Sequence, residues 1–214
     1  MSTKPILFNT DMVRAILAGR KTVTRRGVKP QPLWRKPPIQ QSGRPEYWAN
    51  WDDEKIYKSP YRPGDTLYVR ETFWPGVAGV YEYKADYEDN PGYAWKPSIH
   101  MPREASRIFL RVTDVRVERL QDITDEQALR EGVPEDTDYP LDSQTYCPVC
   151  KGVGLVGTLH PVSFGYMEVD CTHCDTPTKR FANFWNSTIK PADHALYGWQ
   201  ANPWVWVIEF ERCE

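Results

Sequence analysis

The chain has 214 residues, 40% hydrophobic and 26% charged, with a formal net charge of −2. That length fits one ample core or one core with a small appendage, and it excludes two large domains. No apolar run approaches the roughly 20 residues needed to cross a bilayer, and the opening MSTKPILFNTDM lacks the basic-then-apolar layout of a secretory signal, so a cytoplasmic protein with no membrane partner is expected.

The mild acidity argues against coating nucleic acid by bulk charge, but it averages over a segregation. Nine basic residues and no acidic one lie between Met12 and Pro45, whereas nine acidic residues face only Arg119 and Arg130 between Glu118 and Asp142. Such a chain can present a local anion site while staying acidic overall.

In chain order, TDMVRAILA (10–18) predicts a short helix, with Thr10 as N-cap and Val13, Ile16 and Leu17 at helical spacing. Gly19 follows as a left-handed C-cap. From Val28 to Tyr61 the Pro-, Gln- and Trp-rich text has no periodicity and predicts a long loop or elaboration. RPGDTLYVRETFW (Arg62 to Trp74) predicts a Pro-Gly turn and then a strand, with Leu67, Val69 and Glu71 on one side and Tyr68, Arg70 and Thr72 on the other. A strand that ends in a charged Glu is either solvent-facing or functional. Residues 107–120 predict a strand pair, with Thr113-Asp114 as turn or bulge.

Asp122 to Val133 predicts a helix capped at Thr124 or Asp122 and stopped by Gly132. Residues 134–180 interrupt the pattern. RFANFWNSTI (180–189) resumes it as a helix with Phe181, Phe184, Trp185 and Thr188 on one face, and NPWVWVIEFE closes the chain as a strand. Short strands with two or three helices and no βαβ rhythm point to α+β, a mixed barrel with helices at its ends.

Cys147-x-x-Cys150 and Cys171-x-x-Cys174 are separated by 20 residues, the pattern in which two turns each offer two thiolates to one tetrahedral ion. Four thiolates leave no open position for substrate, so structural zinc is expected rather than a catalytic metal. His173 lies inside the second pair and is expected to be a bystander. His100, His160 and His194 have no partner at metal spacing, and Cys213 is expected to be a simple thiol.

ILAGRKTVTRR (Ile16 to Arg26), RPGDTLYVRETFW, ITDEQALREGV and NPWVWVIEF resemble, in that order, the ASCH domain, and in detail the longer ASCH proteins of bacteriophages and prophages. GRKTVTRR matches the ASCH signature of Gly, Lys, Thr and Arg. The resemblance covers most of the chain apart from 28–60 and 134–180. It implies a PUA-like β-barrel built from 1–133 and 181–214, with 28–60 as an elaboration and 134–180 as an inserted four-cysteine zinc knuckle. Relatives of this fold bind RNA or modified bases in a cleft, and other ASCH proteins cut or bind RNA. One small ASCH family hydrolyses the acetyl amide of acetylated cytidine with a Lys, a Thr and a Glu, which fall here on Lys21, Thr24 and Glu131. The two long insertions and the Arg70-Glu71 pair with Trp74 depart from those small hydrolases and leave the substrate open.

Chemically, Lys21 sits among Arg20, Arg25 and Arg26, and like charges disfavour its protonated form, moving it toward a base. Thr24 is then nucleophile or orienter of water, and Glu131 positions Lys21 or relays its proton. On a regular strand Lys21 and Thr24 would face opposite ways, so the motif needs a turn or bulge near Thr22. Arg20, Arg25, Arg26 and Lys29, with Arg70, Glu71 and Trp74, are the candidate anion- or nucleic-acid-binding residues; Glu71 is alternatively a salt-bridge partner of Arg25 or Arg26. Trp74, Trp95 and Trp51 can stack a base, with core packing the alternative for each. Three functions compete: a hydrolase of a modified nucleoside or of RNA, a non-catalytic RNA or modified-base binder, and a phage-encoded module whose zinc knuckle docks a protein.

Overall fold

The computed structural model describes residues 2–50, 53–76, 79–134, 147–150, 155–159 and 166–213; the expectations for Trp51 and His160 fall outside them. The fold is α+β and divides into two units, one of Met1–Arg26, Pro32–Val117 and Trp206–Glu214, the other of Gly27–Gln31 and Glu118–Val205. No helix among the described residues is long and apolar enough to cross a membrane.

The first unit is organised by a five-stranded sheet in the order β1 (Thr3–Leu7), β6 (Thr66–Arg70), β9 (Phe109–Arg119), β12 (Trp204–Arg212), β2 (Val23–Gly27). β1 pairs with β6 in parallel, Thr3 opposite Thr66 and Leu7 opposite Arg70, whereas β6 and β9 are antiparallel, Thr66 opposite Arg111. β12 lies between two neighbours and buries every residue from Trp204 to Ile208, so it reads as a continuous apolar run instead of an alternation. Ahead of β6, Asp65 N donates to Arg62 O (3.1 Å) across Pro63 and Gly64. Gly64 has φ +86°, which a type II turn requires at its third residue.

Residues 107–120 give one eleven-residue strand, not the expected pair. Leu110 and Val112 are buried, Thr113 and Asp114 are both exposed, and burial resumes at Val115 and Val117. The signal at Thr113-Asp114 is thus a change of phase within the strand instead of a turn.

The expected closed barrel is an open sheet among the described residues, with β1 and β2 as its edges. Helix α1 (Thr10–Leu17) connects those two strands in sequence, and a side chain spans between them: Arg26 Nη2 donates to Leu7 O at 2.9 Å. The N-cap of α1 is Asn9, whose Oδ1 accepts from Met12 N (2.9 Å), in place of the expected Thr10. Met12, Val13, Ala15 and Ile16 form its buried face, and Gly19 follows at φ +73°.

Residues 28–60, expected as a long loop or elaboration, contain a three-stranded antiparallel sheet, β3 (Ile39–Gln41), β4 (Arg44–Asn50) and β5 (Asp53–Lys58). The register of its strands shifts between Gln40 and Gln41 and between Trp48 and Asn50, which erases the period-2 pattern a sequence reading depends on. Aromatic packing holds it: Trp34 meets Tyr57 edge-on at 4.9 Å and Trp48 meets Trp206 of β12 at 6.3 Å. β7 (Phe73–Pro75) and β8 (Tyr81–Tyr83) form a further small antiparallel pair.

In the second unit, α2 (Asp125–Arg130) starts at a capping box: Thr124 Oγ1 accepts from Gln127 N (3.2 Å) and Gln127 Oε1 from Thr124 N (3.3 Å). It ends at Gly132, φ +92°. β10 (Leu155–Leu159) and β11 (Tyr166–Asp170) pair antiparallel. α3 (Pro177–Thr188) begins three residues before the expected Arg180, with Thr176 as N-cap and Pro177 in its first turn, where a missing N–H is harmless. The short α4 (His194–Tyr197) is pinned by Trp185 Nε1 donating to Tyr197 O (2.7 Å).

Candidate functional site

After α1 the chain turns back on the helix end, Arg20 N and Lys21 N both donating to Ala15 O (2.9 and 3.1 Å), and β2 starts only at Val23. Lys21 therefore precedes the strand that carries Thr24, and strand alternation does not force the two side chains apart. Lys21, Thr24 and Arg25 are 3%, 2% and 2% exposed, whereas Arg20 is exposed and Arg26 is half-buried. Lysine and arginine are rarely so enclosed without partners. Lys21 Nζ donates to Val23 O (2.8 Å) and lies 5.5 Å from the Phe8 ring centroid. The Arg26 guanidinium lies 5.3 Å from the same ring, so Phe8 serves two cations. Nothing in the sequence marks Phe8 for this role. Burial pushes the Tyr61 hydroxyl up, against the pull of Arg26.

Arg25 is thus inside the first unit, and Arg20 and Arg26 are the arginines of this segment that reach solvent. Lys29, in the second unit, is exposed and lies 5.1 Å from the Tyr197 ring. Glu131 also belongs to the second unit. It is the C-cap of α2 and is buried, its N–H donating to Gln127 O at 3.0 Å.

The Arg70–Trp74 group has internal partners. Arg70 Nε donates to Met101 O (2.8 Å) and its Nη2 to Ile99 O, which ties that guanidinium to a neighbouring loop. Glu71 is buried and its partner is Arg107, Nε to Oε1 at 3.0 Å and Nη2 to Oε2 at 3.1 Å, not Arg25 or Arg26 as entertained from sequence. Arg107 also holds Asp86 (2.6 and 2.9 Å) and lies 3.9 Å over the Tyr83 ring. Burial pushes the Glu71 carboxyl up, and Arg107 offsets only part of that. Trp74 stacks on Tyr93 at 4.6 Å with planes 10° apart, and Tyr87 and Trp95 complete the aromatic cluster. A guanidinium and a carboxylate 36 residues apart leave no local pattern, so Arg107 was not legible beforehand.

The four paired cysteines converge. All four are buried and their sulfurs lie within 4.8 Å of one another, Cys147 to Cys171 at 3.7 Å and Cys150 to Cys174 at 3.5 Å. Four thiolates around one ion at about 2.3 Å would sit about 3.8 Å apart, and a disulfide needs about 2.05 Å. The donor set therefore fits a metal ion and not two disulfides. Burial pushes the Cys171 and Cys174 thiols up, a penalty that a bound divalent ion reverses by stabilising thiolates. His173 is exposed and outside the tetrad.

Compared with family models, curated proteins and solved structures, the chain matches none. A groove of about 570 Å³ over β3 and β4 is lined, among the described residues, by Ile39, Gln40, Gln41, Ser42, Ala49 and Asn50.

Proposed function

We propose that the protein is an ASCH-type nucleoside-handling hydrolase whose reacting groups are Lys21 and Thr24, with Glu131 assigned by the resemblance and structural zinc in the cysteine tetrad. The observation that supports it is the removal of Lys21, Thr24 and Arg25 from solvent within one short segment. Burying that many polar groups costs stability unless each is hydrogen-bonded or paired, a cost that a functional site gives reason to bear. The segment is also the one that resembles the ASCH signature.

In this reading the substrate is an acylated exocyclic amine of a nucleobase. Thr24 Oγ attacks the acyl carbon while its proton passes to Lys21, which takes it up once its ammonium has released a proton to solvent. The carbon–nitrogen bond breaks with return of that proton to the leaving amine, and water then hydrolyses the acyl-threonine to a carboxylic acid. Glu131 enters on the resemblance alone and is tested by substitution. Zinc is preferred for the tetrad because a closed four-thiolate shell holds an ion without an open position, which suits a structural role.

The deciding assay incubates the purified protein with 4-acetylcytidine and separates cytidine by chromatography. Lys21→Met, Thr24→Ala and Glu131→Gln should each lose about 100-fold or more in turnover. A wild-type protein inert toward acylated nucleosides refutes the hydrolase. The second reading, a binder of single-stranded RNA, is favoured by the solvent-facing Arg20, Arg26 and Lys29, and would show as salt-dependent binding without turnover.

A further inference from the structure

The side chains of α3 hold the second cysteine turn by its carbonyls. Lys179 Nζ donates to Thr172 O (2.9 Å), Asn183 Nδ2 to His173 O (2.9 Å), and Arg180 Nε to Cys174 O (2.8 Å), with a longer contact from Arg180 Nη2 to Asp175 O (3.4 Å). Four successive carbonyls, 172 to 175, are thus fixed to one helix. The same helix grips α2. Thr178 donates through both N–H (2.9 Å) and Oγ1 (2.6 Å) to Asp125 in the first turn of α2, and Arg180 Nη1 donates to Pro134 O at 2.6 Å, three residues beyond Glu131.

We propose that Arg180 is a positioning residue that couples the metal centre to the α2 C-terminus, so that loading of the cysteine tetrad determines whether the segment carrying Glu131 is held in place. Arg180 is 4% exposed, and a side chain so enclosed has few alternative conformations. Its planar fork serves two separate segments at once, Nε on the metal turn and Nη1 on the residue after α2. A lysine, with a single ammonium on a flexible stem, cannot reproduce that pair of bonds. When the metal leaves, the turn from Cys171 to Cys174 loses the thiolate–metal bonds that hold its shape, Arg180 loses a fixed anchor on that turn, and the Gly132–Pro134 exit from α2 loosens with it. The importance of this for chemistry rests on the proposed role of Glu131; the coupling itself rests only on metal binding by the tetrad.

Hydrogen exchange read by mass spectrometry tests it without any turnover, so failure of the hydrolase reading and failure of this coupling are separable. The arms are zinc-loaded and chelator-treated wild type, and the same pair for Arg180→Lys, with metal content measured for each. In the wild type, chelation should speed exchange of amides 128–133 about tenfold, while the amides of β1 and β6 stay protected. Zinc-loaded Arg180→Lys should keep its metal yet already show that acceleration, and chelation should then add less than about twofold at 128–133, the non-additivity expected of groups acting through one another. If Arg180→Lys does not fold, the wild-type pair decides alone. Acceleration confined to 166–176, equal acceleration in every strand, full additivity, or a wild type that takes up no metal each overturns the proposal.

Discussion

Asp65 offers the most direct test of how the first unit is held together. Its carboxylate is fully buried and accepts from Ser2 N (3.2 Å), Ser2 Oγ (2.8 Å), Lys4 Nζ (2.7 Å) and Arg62 N (3.2 Å). It therefore ties the first residues of β1 to the turn that launches β6. Burial pushes the carboxyl up, and the bonds from Lys4, Ser2 and Arg62 outweigh it, so that it sits at about 2 against an ordinary 3.8. A depressed carboxylate contributes stability that is fully present above about pH 4 and is lost as pH falls through 2. The shift corresponds to about 2.4 kcal/mol if unscreened. The Lys4 side chain is 34% exposed, and screening by solvent brings this to about 1–2 kcal/mol. About half should remain at pH 3. Asp65→Asn keeps the shape but turns an amide N–H₂ or a weaker acceptor toward the Lys4 ammonium. Urea unfolding at pH 7 should show a loss of about 1–2 kcal/mol in the variant, and at pH 2 the two proteins should converge to within about 0.5 kcal/mol. A wild-type advantage that stays constant from pH 7 to pH 2 would refute the assignment of this stability to the ionised carboxylate.

Metal analysis of protein purified without chelator should find about one equivalent of zinc per chain, and Cys147→Ser should fall below about half. Arg107→Met leaves the Glu71 carboxyl buried and uncompensated, so it should cost about 3 kcal/mol, read as a drop of roughly 6–12 °C in Tm; a drop under 2 °C would show that the pair contributes nothing net. Gly64→Ala forces a Cβ into φ +86° and should destabilise by about 1 kcal/mol, measurable by the same unfolding curves. If the protein binds single-stranded RNA, neutralising Arg20 and Lys29 together should reduce the slope of log affinity against log salt by about 1.4, and an unchanged slope makes these charges bystanders.

Local chemistry determined much of what the sequence could say. The spacing of Cys147, Cys150, Cys171 and Cys174 specified the tetrad because two CxxC turns need only a hairpin to meet. Thr124 with Gln127 wrote the start of α2, and Pro63-Gly64 wrote the turn before β6, since each acts through bonds between residues three or fewer apart. The tertiary structure decided what depends on distant partners. It put Arg25 inside and left Arg20 outside, a distinction that a run of like charges does not contain. Arg107 became the partner of Glu71 across 36 residues, and Arg180 became a bridge between Cys174 and Pro134. The elaboration at 28–60 became a sheet because Trp34, Trp48 and Tyr57 found aromatic partners, and those contacts outweighed strands too irregular in register to carry a period of their own.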